Sequence, residues 1–179
     1  MAPKMTGNKN GTKARTMGLL ACVLGMMIVP AVFAAPARAD TTYSFNLVTP
    51  NTATSPDGFP FAGDTIRLRG GGSFDPVAGT VDASGAFTHI LASGAVFAHG
   101  TWVATGFVSF TAFGGPNGGL QGGVLTITVS VIHKGNVIFV GLTMVVTCTI
   151  NAPPGYEEGT TLGPFIIPTG GETLIHTGS

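Results

Sequence analysis

Charged residues are scarce in this chain, at 9% of the sequence against about 25% in an ordinary globular domain. The few cations are also unevenly placed. Five of the eight Lys and Arg residues (Lys4, Lys9, Lys13, Arg15 and Arg38) fall within the first 39 positions. Residues 40–179 keep only Arg67, Arg69 and Lys134 against eight acids, a formal charge of −5. Such a segment lacks the positive footprint that neutralises nucleic-acid phosphates, and it is equally ill-suited to anionic membrane surfaces. Neither nucleic acid nor a membrane is expected as its partner.

Cysteine is nearly absent as well. Cys22 lies in an apolar stretch near the start, which leaves Cys148 as the single thiol of residues 40–179 and excludes an internal disulfide there. Stability has to come from burial, and about 140 residues suffice for one core. Several reactive signatures are missing too. There is no Gly-x-Ser-x-Gly elbow and no EF-hand spacing, and Gly70-Gly71-Gly72 and Gly114-Gly115 lack the following helix of a phosphate loop. The histidines at 89, 99, 133 and 176 are not at metal-ligand spacing with one another. No metal and no cofactor are expected.

What is present begins with a leader. A basic start is followed by an apolar core from Met17 to Val29, then Pro30, then Ala37-Arg38-Ala39 before Asp40. A positive n-region, a short apolar h-region and a small-residue exit are what a secretion peptidase reads. Residues 1–39 are therefore read as a cleaved signal peptide, and the mature protein as secreted, extracellular or periplasmic.

The mature chain reads as strands. Gly is abundant, long Glu/Lys/Leu stretches are absent, and Val, Ile, Thr and Phe recur in alternating runs bounded by glycine-containing turns. In a first hairpin, Thr80–Leu91 and Ala95–Ala104 flank Ser93-Gly94. Its register sets Leu91 against Val96, His89 against Ala98, Phe87 against Gly100 and Gly85 against Trp102. Val81, Ala83, Phe87, Leu91, Val96 and Trp102 then share an apolar face. Trp102 covers the bare backbone of Gly85.

A second hairpin joins Val124–His133 to Asn136–Ile150 through Lys134-Gly135 and pairs Val131 with Ile138, Val129 with Val140, Ile127 with Leu142 and Leu125 with Met144. Its second strand is apolar on both sides at one end. A homo-oligomer partner, a returning loop or the C-terminal tail would cover that face.

Weaker strands are read at Thr42–Val48, Asp64–Arg69, Gly71–Phe74 and Phe107–Phe113, the last apolar on both phases. Thr49–Gly63 and Asn151–Gly159 read as loops, and the triple glycine at 70–72 as turn or bulge residues. Seven or eight antiparallel strands in sequential hairpins suggest a small up-and-down β-barrel of about eight strands over residues 40–162, with a β-sandwich as the alternative. Residues 163–179 are read as a C-terminal edge strand or tail.

The runs Gly72-Ser73-Phe74-Asp75-Pro76, Gly79-Thr80-Val81, Gly85-Ala86-Phe87-Thr88 and Gly100-Thr101-Trp102 resemble secreted bacterial proteins with a glycine-punctuated β-meander. More distantly, the chain is similar to the allene oxide cyclase and dirigent barrel superfamily. That resemblance implies a small barrel with an apolar pocket and carries over no catalytic residue.

Four residues are the candidates for the wall of such a pocket: His89, Trp102, Phe87 and Cys148. His89 falls on the apolar face, as a semi-buried hydrogen-bonded histidine or as the polar group at a pocket floor. Cys148 faces the core, where a free cysteine behaves as a small hydrophobe. A nucleophile would need a nearby base and some exposure. The turn carboxylates Asp57, Asp64 and Asp75 are read as bonding their own backbone. No catalytic residue is assigned. The leading expectation is a non-enzymatic barrel that binds a small apolar ligand or acts as an extracellular structural module. A cyclase- or isomerase-type barrel enzyme is the alternative.

Overall fold

A computed structural model of the protein describes residues 42–178, so the leader read at residues 1–39 lies outside the described residues. The described chain is all-β and antiparallel. It contains nine strands: β1 (Tyr43–Thr54), β2 (Thr65–Asp75), β3 (Thr80–Ile90), β4 (Val96–Asn117), β5 (Leu120–His133), β6 (Asn136–Cys148), β7 (Gly159–Leu162), β8 (Ile167–Gly170) and β9 (Thr173–Thr177). Neighbours in sequence pair as hairpins from β1 through β7. β9 then returns beside β1 and touches β5 through Leu120 and His176. With β4 paired to β5, six strands (β1, β2, β3, β4, β5, β9) form a ring, and β6 and β7 extend from β5 outside it. The closure differs from the expected eight strands. A single bridge at Leu120 joins β9 to β5, so the ring is not hydrogen-bonded along its whole height as a true barrel would be.

Pairing follows the alternation of the sequence wherever no residue is inserted. His89–Ala98, Phe87–Gly100 and Gly85–Trp102 are paired as expected. At the turn, Leu91 bonds Ala95 across three residues, with Gly94 at φ +86°. The one-residue difference between turn and ladder is absorbed by a bulge at Phe97, so Val96 pairs Ile90 and is exposed instead of facing inward.

The second hairpin turns where expected, and Lys134 and Gly135 both take positive φ, as a tight two-residue connection requires. Two irregularities then shift its register by two residues. Val131 pairs Phe139 rather than Ile138, and beyond Gly141 (φ +71°) Val129 pairs Leu142 and Ile127 pairs Met144. A shift of two preserves side-chain parity, so Met144, Val146 and Cys148 still face inward, whereas Ile138 and Val140 are expelled to the surface. At this tip Val137 and Val140 are exposed, Phe139 is half-exposed on the cavity side with its partner Val131, and β7 pairs further along, at Met144–Thr147.

Three other expectations change. β2 runs unbroken through Gly70-Gly71-Gly72, because a Cβ at 71 would lie 2.2 Å from the Phe45 carbonyl oxygen and one at 72 would lie 2.1 Å from that of Asp82. These are strand glycines demanded by close backbone approach. β1 continues through Pro50 to Thr54 by way of a bulge between Leu47 and Asn51, which shortens the expected loop. β4 is one 22-residue strand, not two. A bulge at Val108 separates Phe107 and Phe110 by three residues yet places them opposite Ile127 and Leu125 on one face. That insertion is why both phases of the segment read as apolar.

The segment after Leu162 is no tail. β8 pairs the end of β1, β9 pairs Tyr43–Leu47, and Ile175 is fully buried in the core. One hydrophobic cluster runs through all the long strands. Its section nearest the start of β1 is filled by aromatic rings. Phe74 lies 5.2 Å from Tyr43, 4.9 Å from Phe110 and 6.3 Å from Phe107. Trp102 fills the next section, lying over Gly85 and Gly70 and donating its indole N–H to the Arg69 carbonyl at 3.1 Å. Past Trp102, toward the other end of the strands, the filling stops.

Candidate ligand cavity around His89

Beyond Trp102 the interior opens into a cavity of about 510 Å³, inside the range of roughly 300–1,000 Å³ usual for small-molecule sites. Ile66 of β2, Phe87 of β3, Ala98 of β4 and Val131 of β5 form its inner wall. The loop 55–64, the start of β6 and the turn after β7 form its rim. Phenyl rings line this level too, Phe87 on the wall and Phe61, Phe97, Phe139 and Phe165 among the lining residues, but they stand around the space without filling it. Ala98 faces a level that Trp102 occupies one section away.

Among the residues that line it, His89 is the only one with a polar side chain. Its ring is held edge-on by three phenyl groups, with centroids 5.1 Å away for Phe61, 5.1 Å for Phe97 and 5.2 Å for Phe165. Each has a local cause. Phe97 is the bulge residue of β4, and a bulge re-aims the side chain it carries. Phe61 stands at φ +65°, an uncommon conformation for a residue with a Cβ. It is fixed there by the Asp64 N–H bond to its carbonyl and by Ser55, which donates Oγ–H to the neighbouring Pro60 carbonyl at 2.7 Å. Phe165 stacks on Phe61 at 6.0 Å with rings nearly parallel.

The polar group itself is a pair. His89 Nε2 lies 2.7 Å from Asp64 Oδ2, and the other carboxylate oxygen accepts the Ala92 N–H at 2.9 Å. Both side chains are about nine-tenths buried. Asp64 thus ties the loop 55–64 to the β3–β4 turn and fixes which ring nitrogen of His89 is engaged. A buried carboxylate is expensive unless its oxygens are bonded, and here both are. Asp75, by contrast, does what turn carboxylates do: its Oδ1 accepts the N–H groups of Val77 and Ala78.

Of the four residues expected on a pocket wall, Phe87 and His89 line this cavity. Trp102 and Cys148 do not. Trp102 is fully buried in the filled core next to the cavity. Cys148 pairs Gly123 near the far end of β6, where burial pushes its thiol up from the ordinary value of 9.0. Main-chain hydrogen bonds from Ile150 and Ile175 oppose that rise without cancelling it. A buried thiol held protonated is a poor nucleophile.

Asp64 was not identified from the sequence as a partner of His89. The β2–β3 ladder pairs Ile66 with His89 and Thr65 with Ile90, which brings Asp64 diagonally to the histidine. A register test on that pair of strands was the signal that could have found it. The remaining histidines lie elsewhere. His133 donates Nδ1–H to the His99 carbonyl at 2.7 Å on the surface, and His176 lies on β9. Among the described residues, no three His, Cys, Asp or Glu side chains come together as a metal site would require. No family model matches the chain, and no curated protein or solved structure matches it.

Proposed function

We propose that this is an exported protein that binds a small apolar molecule in the cavity beside His89. One observation carries the reading. A volume of about 510 Å³ is left unfilled by a chain that packs aromatic rings tightly elsewhere, and its wall is apolar except for one oriented histidine. Sites for small apolar ligands have this composition: a predominantly hydrophobic lining with a small number of placed polar groups. The basic-apolar-small leader supports export, and the acidic, cation-poor remainder supports a small molecule over nucleic acid as the ligand.

The test is to fill the cavity without touching its rim. The protein is purified from the secreting host, and native mass spectrometry reads any co-purifying mass. Ala98→Trp occupies the volume from the inner wall. The expected result is a bound small molecule, or saturable uptake of decane, in the wild type and its loss in A98W with the β-sheet circular dichroism spectrum unchanged. Equal uptake by A98W and the wild type would overturn the reading.

A further inference from the structure

We infer that the ligand is a hydrocarbon bearing a hydroxyl group, and that His89 Nδ1 accepts the hydrogen bond from that hydroxyl. The inference rests on the cavity being a ligand site and specifies what the site selects. Asp64 engages Nε2 at 2.7 Å, so in the neutral ring Nε2 carries the proton and donates it to the carboxylate. The lone pair then sits on Nδ1. Among the described residues no group bonds Nδ1. This nitrogen belongs to a side chain about nine-tenths buried, ringed by Phe61, Phe97 and Phe165, on a lining with no other polar side chain.

Nδ1 is not sealed inside the protein: it keeps access to solvent beside the cavity that His89 lines, so a ligand that displaces water there has to supply the bond in its place. The partner required is a single donor, because the atom left over is a single acceptor. The chemistry of the pair also discriminates among donors and acceptors. A carboxylate ligand would place a second anion beside Asp64 in a low-dielectric cavity, which is strongly disfavoured. An ether or ketone offers only acceptors, and a pure alkane leaves Nδ1 without that bond. A hydroxyl satisfies the nitrogen and adds no charge. The oriented histidine therefore acts as a specificity-determining residue, with Asp64 as the residue that positions it.

The experiment uses decane, decanol and decanoic acid as probes against the wild type and His89→Phe, by isothermal titration calorimetry. Long-range ¹⁵N NMR of the histidine rings in the wild type provides a second readout that needs no variant. The expected result is that decanol moves the Nδ1 resonance of His89 and decane does not. The ratio of decanol to decane affinity falls by roughly three- to tenfold in H89F, the equivalent of one net hydrogen bond. If both probes bind but Nδ1 is unmoved by decanol, or the ratio is the same in folded H89F, the inference is overturned while the ligand site stands. If decanoic acid is the probe whose binding depends most on His89, the inference is likewise overturned. If none of the probes binds, the ligand site itself falls and the inference with it. Should H89F fail to fold, the wild-type Nδ1 shift decides alone.

Discussion

Gly85 and Trp102 show how far single residues set this interior. A Cβ at position 85 would stand 1.9 Å from the Arg69 carbonyl oxygen and 2.7 Å from two atoms of the Trp102 ring. Gly85→Ala is therefore expected to cost about 2–3 kcal/mol, as overpacking of a closed core does, read from the denaturant midpoint. Gly94→Ala has open space and only an unfavourable φ of +86° to meet, so about 1–2 kcal/mol is expected there.

Cys148 supplies a pH signature. The fold favours its protonated thiol, so the stability this contributes is complete below about pH 9 and is lost as the pH rises above that, where the unfolded chain ionises. Wild-type protein is expected to lose stability above pH 9 more steeply than Cys148→Ala. The thiol is expected to react with a disulfide reagent only after denaturant is added. An equal alkaline slope in both proteins would count against the burial described. Trp102 over Gly85 was legible in the sequence because a large ring opposite a bare backbone is a distinctive match. Asp64 was not legible, because an aspartate beside a glycine has an ordinary explanation in turn chemistry.

At the level of elements, the strands were readable and their insertions were not. Alternation of period two reveals which face of β3 or β5 is apolar, and those faces are buried as read. The same alternation is blind to an extra residue. The bulges at Phe97 and beside Gly141 therefore displaced expected partners while leaving the apolar content unchanged, and the bulge at Val108 left its segment without a readable face. The bulge at Phe97 is also what turns a ring toward His89, so the part of the fold hardest to read is the part that builds the candidate site.

Glu158 shows a second element-scale device. Its carboxylate accepts the Thr149 N–H and hydroxyl and the Thr173 N–H, joining the end of β6 to the start of β9 where the two strands diverge from β5. Glu158→Gln replaces an acceptor by a donor facing N–H groups. About 2 kcal/mol of lost stability is expected, with hydrogen exchange accelerated at Thr149 and Thr173.

For the whole molecule, the return of β9 decides whether the sheet closes. It lies between β1 and β5, buries Ile175 and Thr173, and bonds Asn51 through Thr173. Removing residues 172–179 leaves β1 with a long open edge. The truncated chain is expected to lose its cooperative unfolding transition, whereas an edge strand or tail would come away with a small loss. The composition had already pointed to one β-rich core without disulfides. Closure through the last residues could not be read there, because a five-residue strand with a polar flank looks the same at an edge as within a ring.

A chain that fills one end with phenyl rings and Trp102 and leaves the other hollow around a single oriented histidine has its volume where a ligand would sit. Methyl-resolved ¹³C NMR during titration with decanol tests that claim most directly. Saturable shifts are expected at the methyls of Ile66, Val131 and Leu142 on the cavity wall, with Val146 and Ile175 in the filled core silent. Shifts that fail to saturate, or that fall on the filled core and spare the cavity wall, would contradict it.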